Sequence, residues 1–219
     1  MSNWIVIPAK NEADTIKWLV TEAIQYGEVL VVVDKDTNDG TVDKAVRAGA
    51  WVIYQREQGL GAAIRTGWRE ALARDADRVV VMDAGGSHSP SDIPSLIASH
   101  ADIVIGSRFV HEGHYYGRPL RKLCSQTMAM LCNLAQPGQW IRDWTSGFRC
   151  YSAEAVRQLL YLPYKAIGHA WQIEALAWAR ILCLSIGEVP IDYIAGRSSL
   201  DLSKAWEAIK VWFSLWSIK

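Results

Sequence analysis

The sequence predicts an α/β fold, a single domain built on a mostly parallel central sheet flanked by helices. Three observations carry this. Short runs rich in Val and Ile recur at 4–8 (WIVIP), 29–34 (VLVVVD), 51–55 (WVIYQ), 78–83 (RVVVMD) and 101–108 (ADIVIGSR). Strands buried on both faces read as continuous apolar runs of this kind. Stretches of helical periodicity separate them, the alternation expected of a parallel sheet with helices on both sides. Two of the runs end on a carboxylate, Asp34 and Asp83, and open parallel sheets bind ligands beyond the carboxyl ends of their strands.

The elements follow in order. A helix is predicted over 14–26, with Ile16, Leu19, Val20, Ala23 and Ile24 on one face. The turn Asn38-Asp39-Gly40 leads into a short helix over 41–48. A Gly-started helix spans 59–74, and another spans 90–99 with Pro90 at its start. After Arg108 the pattern changes. Residues 109–118 read as a polar loop, 120–135 as a helix and 144–151 as irregular to extended. Helices over 152–160 and 169–182, a strand over 186–194 and a final helix over 201–218 complete the chain.

Composition sets limits. The 219 residues are half apolar, enough for one substantial core. Lys plus Arg (23) equals Asp plus Glu (23), so no general attraction to nucleic acid is expected. Cys124, Cys132, Cys150 and Cys183 form no CxxC pair, and Met1 to Pro8 leads straight into a strand. Reduced, mostly buried thiols in a cytoplasmic protein without a signal peptide are therefore expected. No run of about 18 apolar residues suggests a membrane-spanning helix. Near the C-terminus Trp206, Ile209, Trp212, Phe213 and Trp216 form an apolar stripe, with Glu207 and Lys210 on the polar side. Such a stripe lies in a lipid interface or packs on its own domain.

Several segments in order, IPAKNEADTI, VVVDKDTNDGT, REQGLGAAIRTG, MDAGGSHSP, DIVIGSRF, DWTSGFRCY, IGEVPI and GRSSL, resemble the family-2 glycosyltransferases of the GT-A fold. The similarity covers nearly the whole chain and is strongest to the dolichyl- and polyprenyl-phosphate sugar synthases. It implies an inverting transfer of a sugar from a nucleotide-diphosphate sugar to a polyprenyl (dolichyl-like) phosphate. It also implies a Mg2+ or Mn2+ ion and a peripheral place at a membrane surface, direct or through a membrane partner. The domain would span 1–200, with a nucleotide-binding half (1–108) and an acceptor half (109–200), followed by an amphipathic helix over 201–219.

On the donor side the resemblance places Pro8, Ala9, Asn11 and Glu12 against base and ribose, although Asn11 or Asp14 alone reads as a helix cap. Val33, Asp34 and Asp36 join them; Lys35 stands where relatives carry a carboxylate, which is shifted by one position to Asp36. Gly59-Leu60-Gly61 suits an anion at a helix N-terminus or close packing equally. Asp83-Ala84-Gly85 resembles the D-x-D motif that binds nucleotide and metal, with Gly85 in place of the second carboxylate. That departure leaves weaker metal binding, a metal-free mechanism or lost catalysis open. His88 reads as a loop hydrogen-bonding residue or an extra ligand. Around GRSSL the positions of two basic residues of relatives hold Tyr193 and Ser199, and Arg197 or Lys204 is the candidate substitute.

On the acceptor side Arg108, Arg121 and Ser125 match a phosphate clamp, with Arg121 and Ser125 on one helical face. Arg149 is a further acceptor-phosphate candidate. Asp143 reads as an active-site residue or as the ion-pair partner of Arg149. His111 to His114 lacks metal-site spacing and reads as a loop. Glu174 reads as a buried hydrogen-bonding residue or a direct participant. A phosphate acceptor is already anionic, so no strong base is needed. Two other readings remain: a non-catalytic nucleotide- or lipid-binding relative, and, more weakly, a sugar-1-phosphate nucleotidyltransferase, which the start of the chain disfavours.

Overall fold

The computed structural model describes residues 1–196 and 209–213. In chain order the elements are β1 (Asn3–Ala9), α1 (Ile16–Ala23), β2 (Glu28–Val33), α2 (Thr41–Arg47), β3 (Trp51–Tyr54), α3 (Leu60–Ala73), β4 (Arg78–Val81), α4 (Ile93–Ala98), β5 (Ile103–Ser107), β6 (His114–Tyr116), α5 (Pro119–Ala135), β7 (Arg149–Ser152), α6 (Ala153–Leu159), α7 (Trp171–Ile181), β8 (Ile186–Pro190) and β9 (Asp192–Ile194). The main sheet runs β3-β2-β1-β4-β7-β5-β8. Its pairs are parallel except those of β7, which lies antiparallel between β4 and β5.

Alternate residues of one strand feed two cores, because successive side chains point to opposite faces. Val6, Leu30, Val32, Val79 and Val81 pack with Trp68, Trp171 and Leu159 on one face. Ile5, Ile7, Val29, Val31 and Val33 pack with Ile16, Leu19 and Leu96 on the other. Trp68 of α3 joins layers, edge-on to Tyr151 of β7 at 4.9 Å and to Trp171 of α7 at 5.4 Å between ring centroids.

Two expectations are corrected. The polar loop after Arg108 contains β6, which pairs with β9 in a second, two-stranded sheet. The single strand predicted over 186–194 is two, because Pro190 closes the β5–β8 ladder at the sheet edge, where its missing N–H costs nothing. The segment read as irregular to extended over 144–151 is irregular up to Phe148 and strand from Arg149. Of the thiols, Cys132 and Cys150 are buried but Cys124 and Cys183 are exposed, and all four are free.

Strands β2 and β4 stop at Val33 and Val81, which leaves Asp34 and Asp83 on loops at the C-terminal edge. Of the C-terminal stripe, Ile209 to Phe213 is helical. There Val211 is buried, and Trp212 donates its Nε1–H to the Leu131 carbonyl of α5 at 2.9 Å. This part of the stripe thus packs partly on the domain, while Phe213 stays exposed. Trp206, Glu207, Trp216, Arg197, Ser199 and Lys204 lie outside the described residues. Among those described, no helix is long and apolar enough to cross a membrane.

Candidate active site

A cleft of about 1300 Å3 opens over the C-terminal edge of the sheet. Pro8, Ala9, Glu12, Asp34, Asp83 and Ala84 line it together with Arg108, Arg121 and Ser125.

The donor-side loops are stitched together. Asn11, in the left-handed region at φ 54°, accepts the Asn38 N–H on its Oδ1 at 3.0 Å. Asp39 accepts from the Ala13 N–H (3.0 Å), the Thr41 N–H (3.0 Å) and the Thr41 hydroxyl. The Glu12 N–H donates to Thr41 Oγ1 at 2.9 Å. Neither Asn11 nor Asp14 caps α1, whose first flanking residue is Thr15. Asn11 shapes the loop without lining the cleft. Asp34 is held from three sides, by the Asp36 N–H (2.9 Å), by Gln55 Nε2 (2.7 Å) and by Lys10 (3.1 Å). Its carboxyl sits below the usual range, chiefly through the Asp36 N–H and further through Lys10 and Gln55. Lys10 and Gln55, which also line the cleft, were not anticipated.

Two donor candidates lie away from the cleft lining. The Val33 side chain is buried in the core beneath the sheet, and Asp36 points outward to Lys10 at 3.4 Å and does not line the cleft. The Gly59-Gly61 step proves to be a packing device. A Cβ at Gly59 would meet the Ile167 side chain at 2.3 Å, one at Gly61 the Trp171 ring at 2.5 Å, and the Gly61 N–H already donates to the Ile167 carbonyl.

Asp83 stands at the cleft floor with its side chain 35% exposed. The Thr15 hydroxyl pins the next carbonyl, Ala84 O, at 2.6 Å. At Gly85 an added Cβ would meet nothing nearer than Glu12 Oε1 at 3.9 Å, so the backbone has room for the missing carboxylate. Burial pushes the Glu12 carboxyl up, and the charges of Asp39 and Asp83 add to the effect. His88 makes no loop hydrogen bond: both ring nitrogens are buried without a partner. Among the described residues no group of three or more His, Cys, Asp or Glu could enclose a metal ion.

On the acceptor side, α5 turns Arg121 and Ser125 toward the cleft. Arg108 is nearly buried and grips Asp143 with a two-pronged fork, Nε to Oδ2 and Nη2 to Oδ1, both at 2.7 Å. Nη2 also donates to Thr145 Oγ1 at 2.6 Å, and the rings of Phe109 and Tyr193 lie 5.0 Å from the guanidinium. Asp143 is fully buried and accepts the N–H groups of Arg108, Thr145 and Ser146. Burial alone would raise its carboxyl, but the Arg108 charge and hydrogen bonds outweigh it and the net shift is downward. Asp143 thus positions Arg108 and the 145–147 loop and does not reach the cleft. Its expected partner Arg149 is elsewhere, buried in the core and donating to the carbonyls of Gln172 (2.7 Å) and Trp144 (2.9 Å). Arg149 is a structural pin and no part of a phosphate clamp. Gly147 is required by close approach, since a Cβ there would lie 2.4 Å from Gln172 Nε2 and 3.1 Å from Asp83 Oδ1. Glu174 accepts the N–H groups of Lys165 and Ala166, a structural role. His114 pairs with Asp192 at 2.8 Å, and His111 is exposed.

The profile of glycosyl transferase family 2 matches residues 4–160. The chain belongs to this family. It is 32% identical to the undecaprenyl-phosphate mannosyltransferase of Micrococcus luteus over 93% of this chain and 89% of that one. To the polyprenol monophosphomannose synthase of Mycolicibacterium smegmatis it is also 32% identical, over 94% and 83%. Among solved structures it superposes on glucosyl-3-phosphoglycerate synthase from Mycobacterium tuberculosis, in complex with Mn2+, UDP-glucose and phosphoglyceric acid. The TM-score is 0.75 at 22% identity, with 99% of this chain and 80% of that one covered. The fold is GT-A, and this family-2 chain is a glycosyltransferase.

Within that family frame the departures cluster on the donor side. Gly85 removes a carboxylate, and Tyr193, whose ring packs 5.1 Å from His88 and 5.5 Å from Tyr115, fills the position where the resemblance leads one to expect an arginine.

Proposed function

We propose that this glycosyltransferase moves a sugar, with inversion, from a nucleotide-diphosphate sugar to a polyprenyl phosphate of the dolichyl type. The observation that carries this is one shared cleft, lined by Asp83 and Glu12 together with Arg108, Arg121 and Ser125. Relatives named for undecaprenyl-phosphate and polyprenol-phosphate mannosyl transfer support it.

Pro8, Ala9, Glu12, Asp34 and Ala84 hold the nucleotide, with Arg197 of the undescribed segment as a further donor contact. Two guanidinium groups and the Ser125 hydroxyl suit a phosphate monoester. An acceptor phosphate oxygen attacks the anomeric carbon opposite the diphosphate. The new C–O bond forms as the old one breaks, and the electron pair leaves on the diphosphate. The acceptor is already an anion, so no side chain needs to remove a proton, and orientation is the main task. A divalent ion such as Mg2+ or Mn2+, bound at Asp83, would neutralise the departing diphosphate. Such ions are held by one or two carboxylates together with substrate phosphates, which the single donor at Asp83 fits.

The lipid tail has a matching surface. Leu120, Leu123, Thr127, Met130 and Leu134 follow at steps of three and four along α5, all exposed. The stripe borders the cleft through Leu123 and Thr127. Exposed leucines on one helical face suit an isoprenoid chain and the surface of the membrane that carries it. The test is transfer of label from radioactive nucleotide sugars to undecaprenyl or dolichyl phosphate with Mn2+ or Mg2+. Lipid-linked label is expected. Nucleotide binding with no label from any common donor would favour a non-catalytic relative.

A further inference from the structure

His88 closes the loop that begins at Asp83 and faces back on it. Its ring is 2% exposed, and neither nitrogen has a hydrogen-bond partner. Buried polar atoms are seldom left so without a functional reason. Nδ1 lies 3.9 Å from Asp83 Oδ2, about 1 Å beyond a hydrogen bond. The ring is fixed where it is. It is wedged between Phe148 and Tyr193, each 5.1 Å away between centroids. Its backbone bridges to Tyr193, and Ser87 O accepts the Ile194 N–H at 3.0 Å. Asp83 is the freer partner. Its carboxylate is partly exposed, and among the described residues no hydrogen bond holds it.

We propose that His88 is a positioning residue for Asp83. When a divalent ion and a diphosphate enter the cleft, Asp83 moves by about 1 Å and accepts the His88 Nδ1–H on one oxygen. That turns the other oxygen to the ion. Hydrogen-bond partners of this kind orient metal-binding side chains and tune affinity. The role weighs more here because Gly85 supplies no second carboxylate to share the ion. The inference rests on the metal-assisted transfer proposed above.

Two variants separate orientation from packing. His88→Phe keeps a ring against Phe148 and Tyr193 but has no N–H; His88→Asn keeps an N–H near the position of Nδ1. Mn2+ affinity is measured by electron paramagnetic resonance with saturating UDP or GDP, whichever the wild-type protein binds. Nucleotide affinity without metal and melting temperature are measured alongside. The Phe variant is expected to bind Mn2+ about 10- to 100-fold more weakly with metal-free nucleotide affinity unchanged, and the Asn variant to recover most of the loss. Unchanged Mn2+ affinity in the Phe variant, or equal weakening in both, overturns the role. If the Phe variant does not fold, the cycle of Asp83→Asn with His88→Leu, which has no N–H, decides: non-additive Mn2+ affinities support the coupling and additive ones refute it. Wild-type protein that binds neither nucleotide removes the proposed function and this role together. Nucleotide binding with a silent His88→Phe removes this role alone.

Discussion

Arg108 and Asp143 show how a residue's neighbourhood changes its meaning. A bidentate ion pair with no solvent on the Asp143 side fixes the guanidinium before any ligand arrives. Breaking such a pair leaves a buried charge uncompensated, so Asp143→Asn should lower unfolding free energy by about 3–5 kcal/mol in a denaturant titration. It should also depress acceptor turnover, because Arg108 loses its fixed orientation. The acid limb of stability follows the same pair. The folded Asp143 carboxyl lies below its ordinary value, so its stabilisation is complete above about pH 4 and is lost as pH falls through the lower folded value. The wild-type melting temperature should fall across that range, and the Asn variant should lose that contribution. Gly85→Asp tests the donor side. The open space at its Cβ position admits the side chain, so Mn2+ affinity in the presence of nucleotide should rise with little change in melting temperature. Arg108, Arg121 and Asp83 were singled out through the family resemblance, with the strand end before Asp83 and the helical spacing of Arg121 and Ser125 in support, and all three line the cleft. The partner of Asp143 was not legible. Arg108 and Arg149 are equally charged in a string of letters, and only the place of Arg149 in β7 buries it in the core, where it donates to the Gln172 and Trp144 carbonyls.

Elements were legible where one kind of burial governs a whole segment. The Val and Ile runs of β1, β2, β4 and β5 could hardly be anything but strands with both faces covered. Strands β6 and β9 were missed or merged because three residues each, partly exposed, carry no periodicity. Helix α5 was legible as a helix, but its outward apolar stripe went unremarked, because leucine at helical spacing ordinarily means core. The structure turns Leu120, Leu123 and Leu134 outward instead. If that stripe meets lipid, Leu123→Glu with Leu134→Glu should reduce co-sedimentation with vesicles carrying polyprenyl phosphate. Far-ultraviolet circular dichroism and the melting temperature should be unchanged, since exposed positions contribute little to packing. The thiols give a second check. Burial pushes Cys132 up to about 12 and Cys150 up to about 11, so both should resist alkylation until the chain unfolds. Cys124 and Cys183 should react in the folded protein. Mass spectrometry after brief labelling reads the difference directly.

At the scale of the molecule, one sheet divides two cores and carries the cleft along a single edge. The loops that line the donor wall end β1, β2 and β4, and the same strands send alternate side chains into both cores. The acceptor wall joins them through β5, whose last residue precedes Arg108, and through β7, which Trp68 ties to α3 and α7. A ligand held by these loops therefore stabilises the strands beneath them, and binding should appear as a shift of the whole unfolding transition. At 100 times its dissociation constant a ligand adds about 2.7 kcal/mol to the folded state. For a chain of this length each kcal/mol raises the melting temperature by roughly 2–4 °C, so nucleotide with Mn2+ should raise it by roughly 5–10 °C in one cooperative step. Nucleotide alone should shift it less, because without the ion the diphosphate charge faces Asp83 and Glu12 uncompensated. Asp83→Asn should erase the metal-dependent part of the shift and spare the part due to base and ribose, which the proposed function assigns to Asp34 and the loop after β1. A shift independent of Mn2+ in both proteins would mean that nucleotide binding in this chain needs no metal.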